Sequence, residues 1–142
     1  LDDDMLTFIG ELFSARATYG KDYLVYGKAV KAPAIGTGKT EYAFYNKNYN
    51  NGVGMRGNVS TDDVVVSAYT ANGKTAIFFC NVTDKTQKIR FVLNALRDYG
   101  VANGDMTVIG NGSSKSVGAL TDGKANVAID LESHKVAMLV IE

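Results

Sequence analysis

Carboxylates are the side chains with the most catalytic potential in this sequence, and most stand where turns are expected. Hydrolysis by a carboxyl pair needs two such groups facing each other across the scissile bond. Asp is also a common turn residue, because its side chain hydrogen-bonds nearby backbone groups. Six aspartates occupy such places: Asp62, Asp63, Asp84, Asp98, Asp105 and Asp122. We therefore expect no catalytic residues in this chain, and that the chain alone is not an enzyme.

The single cysteine and the single histidine are the other candidates for chemistry. Cys80 lies in an apolar run, where a free cysteine behaves as a small hydrophobe, and His134 lies in a turn. We expect structural roles for both rather than a catalytic dyad. Two such ligands are too few for a transition-metal site, so no metal and no cofactor are expected. Calcium among the turn carboxylates stays open, although no twelve-residue calcium loop is present.

A Tyr/Asn-rich stretch is the one segment that indicates recognition. The rings of Tyr42, Tyr45 and Tyr49 could stack on sugar rings, while Arg56 could donate hydrogen bonds to the sugar hydroxyls. We take these four residues as a candidate carbohydrate-binding site. Two alternatives stay open: Tyr42 and Phe44 are core residues of a strand, or the stretch is a mobile loop because several glycines follow it.

Length and charge exclude some classes of function. The 142 residues suit one domain, and 15 basic side chains balance 15 acidic ones. That balance argues against a surface for nucleic acid or anionic lipid. No apolar run approaches the roughly 18 residues that span a bilayer. One cysteine allows no internal disulfide, so packing alone must hold the fold.

The apolar spacing of the N-terminal segment predicts a helix from about Asp4 to Tyr19. Gly20 is the expected stop signal after its C-terminus. At roughly 100° per residue its apolar arc covers about 180–200°, wider than one sheet needs. We therefore expect two buried sides, one on the β domain and one on a second body. The alternative is a helix enclosed by sheet and loops. The exposed side also predicts self-association of the isolated chain.

Short alternating strands fill the rest of the chain and predict a two-layer antiparallel β-sandwich, mainly β, preceded by one N-terminal α-helix. Asn72-Gly73 between residues 64–71 and 74–82 predicts a type I′ hairpin. Residues 115–120 and 124–131 predict a second hairpin. Residues 135–142 are nearly apolar throughout, with charges only at Lys135 and Glu142, as in a central strand covered on both faces. We divide the chain into residues 1–26, a helix and link, and residues 27–142, the sandwich.

Four segments resemble the end of a glycoside hydrolase with a TIM-barrel catalytic domain. Residues 8–16 are similar to the closing barrel helix and residues 23–27 to the link that leaves it. Residues 67–84 resemble the central hairpin of the C-terminal β-sandwich, and residues 131–142 its terminal strand pair. The resemblance covers most of the chain outside residues 36–57. Since the catalytic carboxylates of that family lie on barrel strands, it implies none here.

These observations favour an accessory, non-catalytic β-sandwich of a larger carbohydrate-active protein. The chain starts at Leu1 without an initiator methionine, which suggests a piece of something longer. The expected partner is an N-terminal catalytic domain of the same protein, in a periplasmic or extracellular bacterial setting. The alternative is a carbohydrate-binding module that uses the Tyr/Asn-rich stretch, with sugar as its partner.

Overall fold

The computed structural model describes residues 2–48, 51–110 and 112–142. These residues contain three helices, α1 (Asp3–Ala17), α2 (Lys21–Leu24) and α3 (Ala95–Tyr99). Their strands are β1 (Lys28–Val30), β2 (Lys39–Asn46), β3 (Met55–Asp62), β4 (Val64–Ala71), β5 (Lys74–Asn81), β6 (Gln87–Asn94), β7 (Gly104–Gly110), β8 (Ser113–Leu120), β9 (Lys124–Leu131) and β10 (Val136–Ile141).

The described strands form two facing antiparallel layers and one separate hairpin. The larger layer is a six-stranded sheet in the order β1-β4-β5-β10-β7-β8, and the smaller layer pairs β6 with β9. The main apolar core lies between them and includes Ile77, Phe79, Ile89, Leu93 and Leu139, none of them exposed. The expected mainly β sandwich with an N-terminal helix is confirmed. Strands β2 and β3 pair only with each other.

Strand β10 is the centre of the larger sheet, between β5 and β7, and all six of its residues are buried. Its side chains alternate, since successive residues of a strand point to opposite faces. Ala137, Leu139 and Ile141 enter the main core. Val136 and Met138 enter a second cluster on the outer face. The prediction that residues 135–142 form a central strand covered on both faces is confirmed.

Helices α1 and α2 cover the outer face of that sheet. Ala15 of α1 and Tyr23 of α2 belong to the second cluster, together with Phe78 of β5. Helix α1 ends at Ala17, two residues before the predicted end, and Thr18 caps it by donating its N–H to the Ser14 carbonyl. Gly20 therefore does not cap α1 in a left-handed conformation. A glycine is required at position 20 for a steric reason, because a Cβ there would lie 2.9 Å from the Phe78 ring.

The hairpin β4–β5 follows the predicted register, with Ala71 opposite Lys74. Asn72 and Gly73 between them have φ angles of 53° and 76°, as a type I′ turn requires. Pairing of β1 with β4 ends at Val30, and residues 31–38 form no strand. Between β6 and β7 the chain forms the short helix α3, which Asn94 caps by accepting from the Arg97 N–H.

The predicted second hairpin is wrong. Strand β8 pairs with β7 in the larger sheet, whereas β9 pairs with β6 in the smaller one. A single bridge between Thr121 and Lys124 is the only pairing around the turn. The reason lies in β9, whose inward residues Val127, Ile129 and Leu131 must face the larger sheet from the opposite layer. The chain therefore crosses between sheets at this turn instead of folding back.

Asn81 links the end of β5 to the turn that precedes β6 and to the end of β9. Its side chain is fully buried, and its amide nitrogen donates to the carbonyls of Lys85, Leu131 and Glu132 at 2.7–3.0 Å. Its amide oxygen accepts from the backbone N–H and the hydroxyl of Thr83. This one side chain thus satisfies backbone groups that would otherwise be buried without partners.

We predict that Asn81→Ala lowers the free energy of unfolding by about 2–3 kcal/mol, because buried carbonyls lose their donor. Asn126→Ala is the matched control, since Asn126 is exposed on β9 and should change stability by less than about 0.5 kcal/mol. Urea denaturation followed by circular dichroism measures both. Equal losses in the two variants would contradict a structural role for Asn81.

Candidate functional site

The side of α1 that faces away from the sheet is apolar and exposed. Leu6 is 52% exposed and Phe13 is 68% exposed. Nine residues separate Leu6 from the buried Ala15, which at roughly 100° per residue places them on opposite sides of the helix. We call Leu6 and Phe13 the outer face of α1. Exposed apolar side chains continue after α2, at Val25 and Tyr26.

The inner side of α1 is fixed to the sandwich by polar as well as apolar contacts. Lys135 donates to the Glu11 carboxylate at 2.9 Å, and both side chains are largely buried. The Tyr19 hydroxyl donates to the Val136 carbonyl at 3.5 Å, and burial raises the pKa of Tyr19 to about 12. Helix α1 therefore packs one of its sides against the sandwich, and its other side is exposed. It is not enclosed by sheet and loops.

The Tyr/Asn-rich stretch forms an antiparallel hairpin, β2–β3, that we call the arm. Its register runs without interruption from Lys39 opposite Asp62 to Asn46 opposite Met55. Most of its residues are exposed, and no residue of either strand is fully buried. Tyr42 and Phe44 are therefore not core residues. At the base of the arm, the Thr40 hydroxyl donates to Asp63 at 2.5 Å.

The arm places the candidate sugar-binding residues on two different faces. Tyr42 and Tyr45 are three positions apart on one strand, so their side chains point to opposite sides. Arg56 lies directly opposite Tyr45, with its guanidinium 5.0 Å from the ring centroid. Tyr49 lies outside the described residues. A single sugar ring cannot stack on both Tyr42 and Tyr45.

Tyr42 borders a cleft that the sequence did not reveal. The cleft has a volume of about 810 Å³ and lies between the start of α1, the base of the arm and the β5–β6 turn. Its aromatic walls are Phe8, Tyr42 and His134. Its charged groups are Asp2, Asp4, Asp63, Asp84 and Lys85. These residues come from segments far apart in the sequence, so no local motif could have grouped them.

Two side chains of the cleft are held in place by neighbours. The His134 ring lies 5.6 Å from the Phe8 ring, centroid to centroid, and its Nδ1 lies 3.3 Å from the Ser133 hydroxyl. Asp63 is held by Thr40, as described above. Asp2 also has a local role, because it caps α1 by accepting from the Met5 N–H at 2.8 Å. The walls of the cleft are therefore partly preorganised.

The environment of Cys80 is unfavourable for nucleophilic chemistry. Burial raises the pKa of its thiol to about 11, so the thiol stays protonated near neutral pH. A reactive cysteine needs the opposite shift, towards the thiolate. Within the ranges 2–48, 51–110 and 112–142, no group of three or more His, Cys, Asp or Glu side chains is arranged to hold a metal ion. No helix in those ranges is both long and apolar enough to cross a membrane.

No family model matches the chain, and no curated protein matches it. A Bacillus halodurans protein described as a candidate α-N-acetylgalactosaminidase is similar in structure. The match covers 58% of this chain and 18% of that protein, with 19% sequence identity and a TM-score of 0.43. A family 27 β-L-arabinopyranosidase from Geobacillus stearothermophilus, in complex with arabinose, is also similar. The match covers 58% of this chain and 18% of that protein, with 17% sequence identity and a TM-score of 0.41.

A family 44 endoglucanase from Clostridium thermocellum matches 68% of this chain and 21% of its own, with 15% identity and a TM-score of 0.36. These structural neighbours are all chains of glycoside hydrolase type, and this chain covers about a fifth of the length of each.

We predict that the Cys80 thiol of the folded protein ionises with a midpoint near pH 11, against 9.0 without burial. Because the folded state holds this proton more tightly, the thiol's contribution to stability is present below pH 9.0 and is lost as pH rises through about 11. Thiolate absorbance measures the midpoint, with Cys80→Ala subtracted to remove tyrosine ionisation. A midpoint near 9 in the folded protein would contradict the burial of this group.

Proposed function

We propose that this chain is an accessory β-sandwich domain that packs, through the outer face of α1, against a neighbouring domain of a glycoside hydrolase-type protein. The observation that supports it is the exposure of Leu6 and Phe13 on a helix whose other side is fixed to the sandwich. Apolar side chains in such a position mark contact sites for other proteins. The role is mechanical: the domain covers and stiffens its neighbour.

Burial of the outer face supplies a driving force of useful size. Removing a large apolar side chain from water is worth about 1.5–3 kcal/mol, so Leu6 and Phe13 offer a few kcal/mol between them. Helix α1 is already ordered by Ala15, Glu11 and Tyr19 before any neighbour binds. Docking therefore costs little further ordering of the helix.

The choice of a neighbouring domain rather than a second copy rests on the resemblance of residues 8–16 to the closing helix of a barrel. In that arrangement the helix lies between barrel and sandwich, and both of its sides are buried. Self-association of the chain through the same face is the expected behaviour when that neighbour is missing.

Carbohydrate binding is a second candidate function, and one observation favours it. Tyr42 and Tyr45 are 45% and 59% exposed on the arm, where an aromatic ring is available to a ligand. Tyrosine offers an apolar face and a polar hydroxyl, which suits a sugar. This function would add to the docking of α1 and does not replace it.

We predict that Leu6→Asp combined with Phe13→Asp separates the two domains in the full-length protein. Each carboxylate would have to be buried unpaired in the interface, which is strongly unfavourable. Calorimetry should then show two unfolding transitions where the wild type shows one joint transition. Ser14→Asp is the matched control, because Ser14 is an exposed polar residue of the same helix.

The same variants in the 142-residue chain separate docking from folding. Since Leu6 and Phe13 are exposed there, the paired substitution should change the melting temperature no more than Ser14→Asp does. Sedimentation should show that wild-type chains associate and that the paired variant is a monomer. An unaltered joint transition in the full-length variant would refute the docking proposal.

A further inference from the structure

We propose that the cleft between the start of α1, the base of the arm and the β5–β6 turn binds a short neutral carbohydrate. Tyr42 and Phe8 would supply the apolar faces, and Asp63 and Asp84 would accept hydrogen bonds from sugar hydroxyls. This inference deepens the second candidate function and is independent of the docking of α1. It moves the site from the exposed end of the arm to its base.

The cleft has a suitable size and composition. Its volume of about 810 Å³ lies within the range of roughly 300–1,000 Å³ that is usual for small-molecule sites. Such sites combine apolar and aromatic walls with a few polar groups that fix orientation. Phe8 and Tyr42 provide the first kind of surface here, and Thr83, Asp63 and Asp84 the second.

The charges of the cleft limit the class of ligand. Ionised carboxylates accept hydrogen bonds and donate none, so a ligand must bring its own donors. Sugar hydroxyls are donors along the rim of a ring whose faces are apolar. Four carboxylates stand against one ammonium group, that of Lys85. Phosphorylated sugars and uronic acids would be repelled, which leaves neutral and cationic ligands. We choose a neutral sugar because its hydroxyl rim and apolar faces match the carboxylates and the aromatic walls together, and a simple cation is the competing outcome of the test.

The alternative position, around Tyr45, is less suitable because the ring is already in use. The Arg56 guanidinium lies over it at 5.0 Å. The ring also covers Gly54 so closely that a Cβ there would lie 2.8 Å from the Tyr45 hydroxyl oxygen. Tyr42 has no such partner over its ring among the aromatic and cation–ring contacts of the described residues.

The test is calorimetric titration of the 142-residue chain with arabinose, galactose and cellobiose. We expect at least one of these neutral sugars to bind. Tyr42→Ala should weaken that binding by about tenfold or more, as expected for an aromatic anchor. Tyr45→Ala, the matched control on the opposite face of the arm, should change it less than about twofold. Asp84→Asn should weaken it as well, and Asp122→Asn, at a turn outside the cleft, should not.

Each other outcome overturns the proposal in a distinguishable way. Loss of binding in Tyr45→Ala but not in Tyr42→Ala would place the sugar on the arm, which keeps the second candidate function and refutes the cleft. No binding of any of the three sugars would refute both. Binding of n-butylamine alone, with an affinity that falls steeply with salt, would make the cleft a cation site. None of these results bears on the docking of α1.

Discussion

The burial of β10 on both of its faces is the constraint from which the rest of the architecture follows. A strand whose six residues are all buried needs a layer on each side. The pair β6–β9 supplies one layer and receives Leu139 and Ile141. The other side, with Val136 and Met138, cannot be left to water. Helices α1 and α2 lie there for that reason.

This constraint also explains the two-sided character of α1. The helix is anchored by Glu11 and Ala15 on the side towards the sheet, and by Tyr19 just beyond its C-terminal end. A helix that served only as a cover would be polar on its opposite side, because an apolar stripe somewhat wider than about 100° is sufficient. Leu6 and Phe13 instead stand on that opposite side. This departure from the simplest amphipathic pattern is the observation behind the docking proposal.

Sequence patterns predicted those elements in which local chemistry and burial agree. Asn72 and Gly73 both readily adopt the positive φ angles that a type I′ turn requires. The continuous apolar run of β10 is typical of a strand covered on both faces. The turn at Thr121–Gly123 misled because turn residues do not reveal whether the flanking strands share a sheet. Which sheet each strand joins is determined by packing between residues distant in the sequence, here by the burial of Ile129 against the larger sheet.

The arm and the cleft could not be predicted for a related reason. Strands β2 and β3 have no buried face, so their sequence lacks the apolar alternation by which strands are recognised. Their stability comes from pairing and from aromatic cover over glycines: a Cβ at Gly57 would lie 2.8 Å from the Phe44 ring. The cleft is further still from local sequence, because Phe8, Tyr42 and Asp84 meet only when three segments have folded.

The outer face and the cleft are physically connected through α1. Phe8 forms a wall of the cleft, and its position depends on a helix that is anchored towards its other end, at Ala15 and Tyr19. Asp2 caps the first turn, and the Phe8 ring lies against the His134 ring in a tilted arrangement, 5.6 Å centroid to centroid. Leu6 and Phe8 are two positions apart, which at roughly 100° per residue places them on opposite sides of the helix. One helix can therefore present the outer face to a neighbour and a wall to the cleft without either use excluding the other.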